Sequence, residues 1–138
     1  MKTAKLSVLI FGTVLIFPAC EKPDDVQPTF TIESPVNNES YTRGSNINFK
    51  ALFKDNKELS QYKIDIHDDI DVHGHNKTDS TVTWSEALTG DLAGKEQTAT
   101  KDIAIPVDAK VGPYHFLVKC IDAAGNEASF QAIDIMVQ

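Results

Sequence analysis

Three of the four histidines in the chain fall within one short stretch, Ile66 to Lys77 (IHDDIDVHGHNK): His67, His73 and His75, with Asp68, Asp69 and Asp71 between them. Neutral imidazoles suit Zn²⁺, Cu²⁺ or Ni²⁺, whereas a hard cation such as Ca²⁺ selects carboxylates and carbonyls. The aspartates can supply an oxygen ligand, or accept the second ring N–H and so fix a histidine tautomer. Asp71, two residues before His73, is the carboxylate best placed for direct coordination. His73 and His75 stand two apart and share one side of an extended segment, with Gly74 between them to let the backbone bend. The competing reading is a solvated polar loop, because an H-x-H pair alone is a weak signal. Calcium at Asp68-Asp69-x-Asp71 is a lesser alternative, since the twelve-residue loop ending in Glu is absent.

The elements that must position these side chains are strands. From Thr29 onward apolar residues alternate with polar ones between turn clusters, and no long 3.6-residue period argues for a helix. Phe30 and Ile32 define a first strand. Ile47, Phe49, Ala51 and Phe53 define a second, with Leu52 the exception on its polar face. Tyr62, Ile64 and Ile66 define a third, from Gln61 to His67. Val82 and Trp84 predict a fourth, followed by a loose loop from Gly90 to Gly94, and Ile103, Ile105 and Val107 a fifth. Tyr114, Phe116, Val118 and Cys120 give a sixth. Asp122 and Asn126 hold a tight turn into a seventh, where Phe130 and Ala132 are followed by Ile133, Ile135 and Val137, and the apolar phase slips between Ala132 and Ile133 as a β-bulge requires. The fold expected is all-β, an immunoglobulin-like seven-strand sandwich over residues 29–138.

In such a sandwich the third and sixth strands are antiparallel neighbours. His67 ends the third and His115 begins the sixth, both in the polar phase, so they should meet on one solvent face. A loop returning from His67 can add His73 and His75, and the predicted metal site is His67, His73, His75, His115 and Asp71. Trp84, Tyr114 and Cys120 lie in the apolar phase and read as core.

Upstream, Lys2 and Lys5 precede a twelve-residue, mostly apolar run from Leu6 to Phe17, too short to span a bilayer and suited to an export signal. Phe17-Pro18-Ala19-Cys20 resembles the bacterial lipobox, with Phe17 where Leu is usual. The resemblance implies removal of residues 1–19 and lipidation of Cys20. That leaves Cys120 without an intrachain disulfide partner. Residues 20–28 then form the lipidated cysteine and a flexible acidic tether, and the expected location is the outer membrane, lipid-anchored and facing the cell surface or the periplasm. Loss of Lys2 and Lys5 takes the formal charge from −7 to −9, which disfavours nucleic acid and favours cations and basic surfaces.

Gly112 to Asn126 (GPYHFLVKCIDAAGN) resembles the last hairpin of bacterial immunoglobulin-like and cadherin-like domains. The whole chain, with lipobox, acidic tether, sandwich and His-rich loop, resembles a Bacteroidota lipoprotein family, domain-of-unknown-function family 4625. That resemblance brings a fold and no activity. No G-x-S-x-G elbow, H-E-x-x-H or glycine-rich phosphate loop is present, and no enzyme is expected. The function expected is capture, buffering or hand-over of a divalent transition metal. The alternative is a non-catalytic adhesive or accessory module that contacts a protein or glycan at the cell envelope.

Overall fold

The computed structural model describes residues 22–68 and 83–138. Cys20, Asp69, Asp71, His73, His75 and Val82 lie outside the described residues, as does the expected signal segment, residues 1–19.

Among the described residues eight strands form two sheets: β1 (Thr29–Ser34), β2 (Glu39–Tyr41), β3 (Asn46–Lys54), β4 (Leu59–Asp68), β5 (Glu86–Asp91), β6 (Glu96–Ala104), β7 (Gly112–Asp122) and β8 (Gln131–Val137). One sheet has the order β1-β3-β6 and the other β2-β8-β7-β4-β5. The fold is an all-β sandwich, as the alternation predicts.

The core is built by the strands with the clearest period of two. Ile47, Phe49, Ala51 and Phe53 of β3 face Tyr62, Ile64 and Ile66 of β4 and Tyr114, Phe116, Val118 and Cys120 of β7, and all are buried. Ring contacts stitch the two layers together: Phe49 lies 5.7 Å from Tyr62 and 5.9 Å from Phe116, and Phe53 lies 5.4 Å from Tyr62. Burying each large side chain contributes about 1.5–3 kcal/mol, so these strands anchor the fold.

Four expectations need correction. There are eight strands among the described residues, because Glu39–Tyr41 pairs in parallel with β8. The fourth strand is Glu86–Asp91, with Trp84 buried just ahead of it. Gly90 belongs to this strand rather than to a loop, and it packs so tightly on the Tyr62 ring that a Cβ there would collide with it. The fifth strand is Glu96–Ala104, so Ile105 is buried beyond its end and Val107 is 78% exposed. Finally, β7 and β8 pair without a break from Val118↔Gln131 to Gly112↔Val137, with no bulge at Ala132/Ile133. Ile133, Ile135 and Val137 point inward and Phe130 lies outside the strand, 61% exposed. The bulges occur instead between Ile32 and Ser34 and between Leu59 and Gln61.

Candidate functional site

β4 and β7 run antiparallel as central neighbours of the five-stranded sheet, and their register makes His67 and His115 direct cross-strand partners. The flanking apolar residues enforce this. Ile64, Ile66, Tyr114 and Phe116 must all point inward, so the residues between them point out, and a slip of one would expose the whole set. The two rings meet edge to face with centroids 5.5 Å apart. Both side chains are partly exposed, 45% for His67 and 35% for His115.

Each ring has a carboxylate beside its Nδ1. Asp134, the cross-strand partner of His115 on β8, places Oδ1 2.8 Å from that ring's Nδ1. Asp65, two residues before His67 and on the same face, places Oδ1 3.6 Å from the His67 Nδ1. Asp65 is itself held by Lys63 at 3.1 Å. A carboxylate in hydrogen-bond contact with Nδ1, as Asp134 is with His115, fixes an imidazole's orientation, the arrangement common around metal-ligating histidines, while the longer Asp65 contact acts on His67 through charge alone. Lys63, Asp65, His67, Leu117 and Lys119 line a shallow depression of about 160 Å³ beside the pair.

Asp68 does not join this face. It falls in the inward phase of β4, is 6% exposed, and accepts a 2.7 Å hydrogen bond from Lys110 Nζ. Its sequence-based role as a ligand or tautomer-fixing acceptor is therefore replaced by an ion pair between its buried carboxylate and the partly exposed Lys110 side chain. Asp71, His73 and His75 lie outside the described residues. Among the described residues His67 and His115 have no third His, Cys or carboxylate ligand atom close enough to complete a set.

The other residues singled out by sequence are placed as read. Trp84 and Tyr114 are core, 5.5 Å apart, and the Tyr114 hydroxyl donates to the Lys110 carbonyl. Cys120 is buried and free. Burial, with the nearby Asp55 and Asp122 charges, pushes its thiol up to about 11, so it is protonated and unreactive at neutral pH.

At the opposite end of the sandwich the structure assembles a group that sequence reasoning passed over. Asp24, Asp55 and Asp122 each offer a carboxylate oxygen, and these lie within 4.8 Å of one another. They come from the segment before β1, the β3–β4 turn and the end of β7. Asp55 and Asp122 carry ordinary turn signals and Asp24 sits in a tether-like run, so nothing in their spacing announces a cluster.

The Asp122 carboxylate is 2% exposed. Burial alone would raise its pKa, but hydrogen bonds from the Asn126 side chain and from the backbone amides of Asn126, Gly125 and Ala124 hold it below the usual carboxylate range. Gly125 reaches φ +90°, which a side chain would strain, and so lets the turn fold back on the carboxylate.

The family described as Domain of unknown function (DUF4625) matches residues 18–137. No curated protein matches the sequence. Among solved structures, the fibronectin(III)-like modules of CbhA from Clostridium thermocellum are similar at 19% identity and TM-score 0.47, over 79% of this chain and 94% of that one. A chitin binding domain from Burkholderia pseudomallei is similar at 12% identity and TM-score 0.48, over 74% and 57%. A family 123 glycoside hydrolase from Clostridium perfringens is similar at 13% identity and TM-score 0.44, over 81% of this chain and 27% of that one. At this level of similarity the neighbours' ligands and reactions say nothing of this chain. The sequence match covers nearly its whole length, and the protein belongs to the DUF4625 family.

Proposed function

We propose that the protein is a non-catalytic binding module, held at the outer membrane by lipid on Cys20, that captures a divalent transition metal on the outer face of its five-stranded sheet. The observation that carries this reading is the cross-strand pair of His67 and His115, with rings 5.5 Å apart and carboxylates at both Nδ1 atoms. Two imidazoles fixed by a sheet are half of a tetrahedral ligand set for Zn²⁺, and the same donors suit Cu²⁺ and Ni²⁺. His73, His75 and Asp71, in the segment that leaves β4 just after His67, would supply the remainder. Capture, buffering or hand-over of the ion is the role such a site suits, because the one thiol among the described residues is buried and protonated.

The test is titration of the full chain with ZnCl₂ and with NiCl₂, by calorimetry, near neutral pH and again at about pH 5. Ligand histidines must be neutral, so binding at neutral pH and its loss at acid pH are expected. Replacing both His67 and His115 by Ala should weaken binding by about a hundred-fold or more, a loss larger than that from outer-shell changes. Undiminished stoichiometric binding by that double variant, or no binding by the parent chain, sinks the reading.

A further inference from the structure

We infer that the Asp24–Asp55–Asp122 cluster is a calcium site that fastens the membrane-proximal segment to the sandwich. It is distinct from the histidine pair, which lies at the far ends of β4 and β7, and it rests on the lipid anchor proposed at Cys20 but not on the metal capture proposed for the histidines.

The first observation is the geometry. Two oxygens bound to one Ca²⁺ at about 2.4 Å each can be no more than about 4.8 Å apart, and the three carboxylate oxygens meet that condition mutually.

The second is an oxygen with no partner. Asp55 Oδ2 accepts the backbone amides of Lys57 and Glu58, both at 2.7 Å. Its Oδ1 is buried and has no hydrogen-bond partner among the described residues. A buried carboxylate oxygen left unmatched costs free energy, and in native structures such an atom usually faces an ion or a water.

The third is the charge. None of the ion pairs among the described residues involves Asp24, Asp55 or Asp122, so three carboxylates share one corner with no cationic side chain between them. The Lys57 ammonium donates to the Lys22 carbonyl at 2.6 Å and forms no ion pair with any of the three among the described residues.

The cluster is also held in place before any ion arrives. Asn56 Nδ2 donates to Asp24 Oδ1 at 3.0 Å, and Asn126 Nδ2 donates both to Asp122 Oδ2 at 2.7 Å and to the Asp24 carbonyl at 3.1 Å. Hard oxygen donors on three separate segments suit the flexible coordination of Ca²⁺ better than the rigid octahedron and tight hydration of Mg²⁺, and a set without nitrogen or sulfur does not favour Zn²⁺. Because Asp24 lies only four residues after Cys20, an ion here joins the anchor-bearing segment to the β3–β4 and β7–β8 turns at once. It thereby restricts how the domain swings about its attachment.

The experiment is calcium titration of the full chain in chelator-treated buffer, read by calorimetry and by melting temperature, with MgCl₂ as the comparison. One Ca²⁺ per chain is expected, with a dissociation constant at or below the roughly 10⁻⁴–10⁻³ M of extracellular modules and weaker Mg²⁺ binding. Asp24→Asn should weaken Ca²⁺ about ten-fold or more through the lost ligand charge, without lowering the melting temperature in chelator, because the amide oxygen can still accept from Asn56 and the lost charge relieves repulsion from Asp55 and Asp122. Calcium should slow amide exchange over residues 22–28 in the parent chain and not in Asp24→Asn. The double variant of His67 and His115 should bind calcium like the parent. No heat and no rise in melting temperature at about 10 mM CaCl₂, well above that range of constants, overturns the site. Calcium binding that Asp24→Asn leaves intact overturns the clamp.

Discussion

The two ends of the sandwich hold its two clusters of chemistry-bearing residues, and they are built on different terms. At one end His67 and His115 stand on the outer face of strands whose inner faces hold the core, and their exposed rings contribute little to holding the sheets together. At the other end Asp122 is buried in the turn that joins β7 to β8, and Asn126 and Gly125 are arranged around its carboxylate. The first cluster is displayed by the fold and the second is partly constitutive of it. Function and stability should therefore separate cleanly at the histidine end and be entangled at the aspartate end.

The largest effect expected from this contrast is at Asp122. Asp122→Ala removes the acceptor of two 2.7 Å hydrogen bonds from Asn126 and leaves those donors unmatched in a part-buried turn. Hydrogen bonds to a charged acceptor contribute about 1.5–3 kcal/mol each, and relief of repulsion from Asp24 and Asp55 offsets part of that, so a loss of about 3 kcal/mol is expected by urea unfolding in chelator. The pH dependence has a definite sign. The folded-state pKa of Asp122 lies below its unfolded value, so its contribution is fully present at neutral pH and disappears as pH falls below about 4 and through the depressed value. The parent chain should lose stability more steeply in that window than Asp122→Asn, whose side chain does not titrate. Parallel acid unfolding of the two would make Asp122 an incidental turn residue.

The same contrast explains what could be read in advance. β3, β4 and β7 were legible because large apolar residues recur at every second position, and that alternation also fixed which way His67 and His115 point. Once the neighbouring strands were assigned, their pairing followed from register alone. β5 and β6 were misplaced because most of their inward positions are small or polar, with Leu88 and Ile103 the exceptions. Gly90 lies under Tyr62, and Gln97, Ala99 and Lys101 precede Ile103, so hydrophobic period carries almost no signal there. Phe130 misled in the opposite direction, since a large apolar residue beside a strand suggested an inward face that the chain does not have. The aspartate cluster was illegible for a different reason. Its members lie on three segments distant in sequence, and each has a sufficient local explanation as a turn or tether residue.

A second expectation concerns the histidine end. The double change His67→Ala and His115→Ala should alter unfolding free energy by less than about 1 kcal/mol, because exposed pairs and surface substitutions rarely contribute more. Equilibrium unfolding in chelator measures this directly. A loss of several kcal/mol would mean that the histidines are structural, and the contrast between the two ends would collapse.

The smallest change in stability, and the finest probe of the metal reading, is at Asp134. This residue is exposed but holds His115 by its Nδ1, and its own backbone amide donates to the Asn37 side chain, which fixes its place on β8. Asp134→Asn keeps the shape and a hydrogen-bonding group at the same position while removing the charge, so unfolding free energy should shift by no more than about 0.5 kcal/mol. Metal affinity should nevertheless fall by about ten-fold, the loss expected when a charged carboxylate no longer orients a ligand imidazole. A histidine pair present only as surface decoration would show neither effect. A pair that binds metal through His115 would show the second without the first, and the ratio of the two measures how far this end of the domain is shaped by its ligand rather than by its fold.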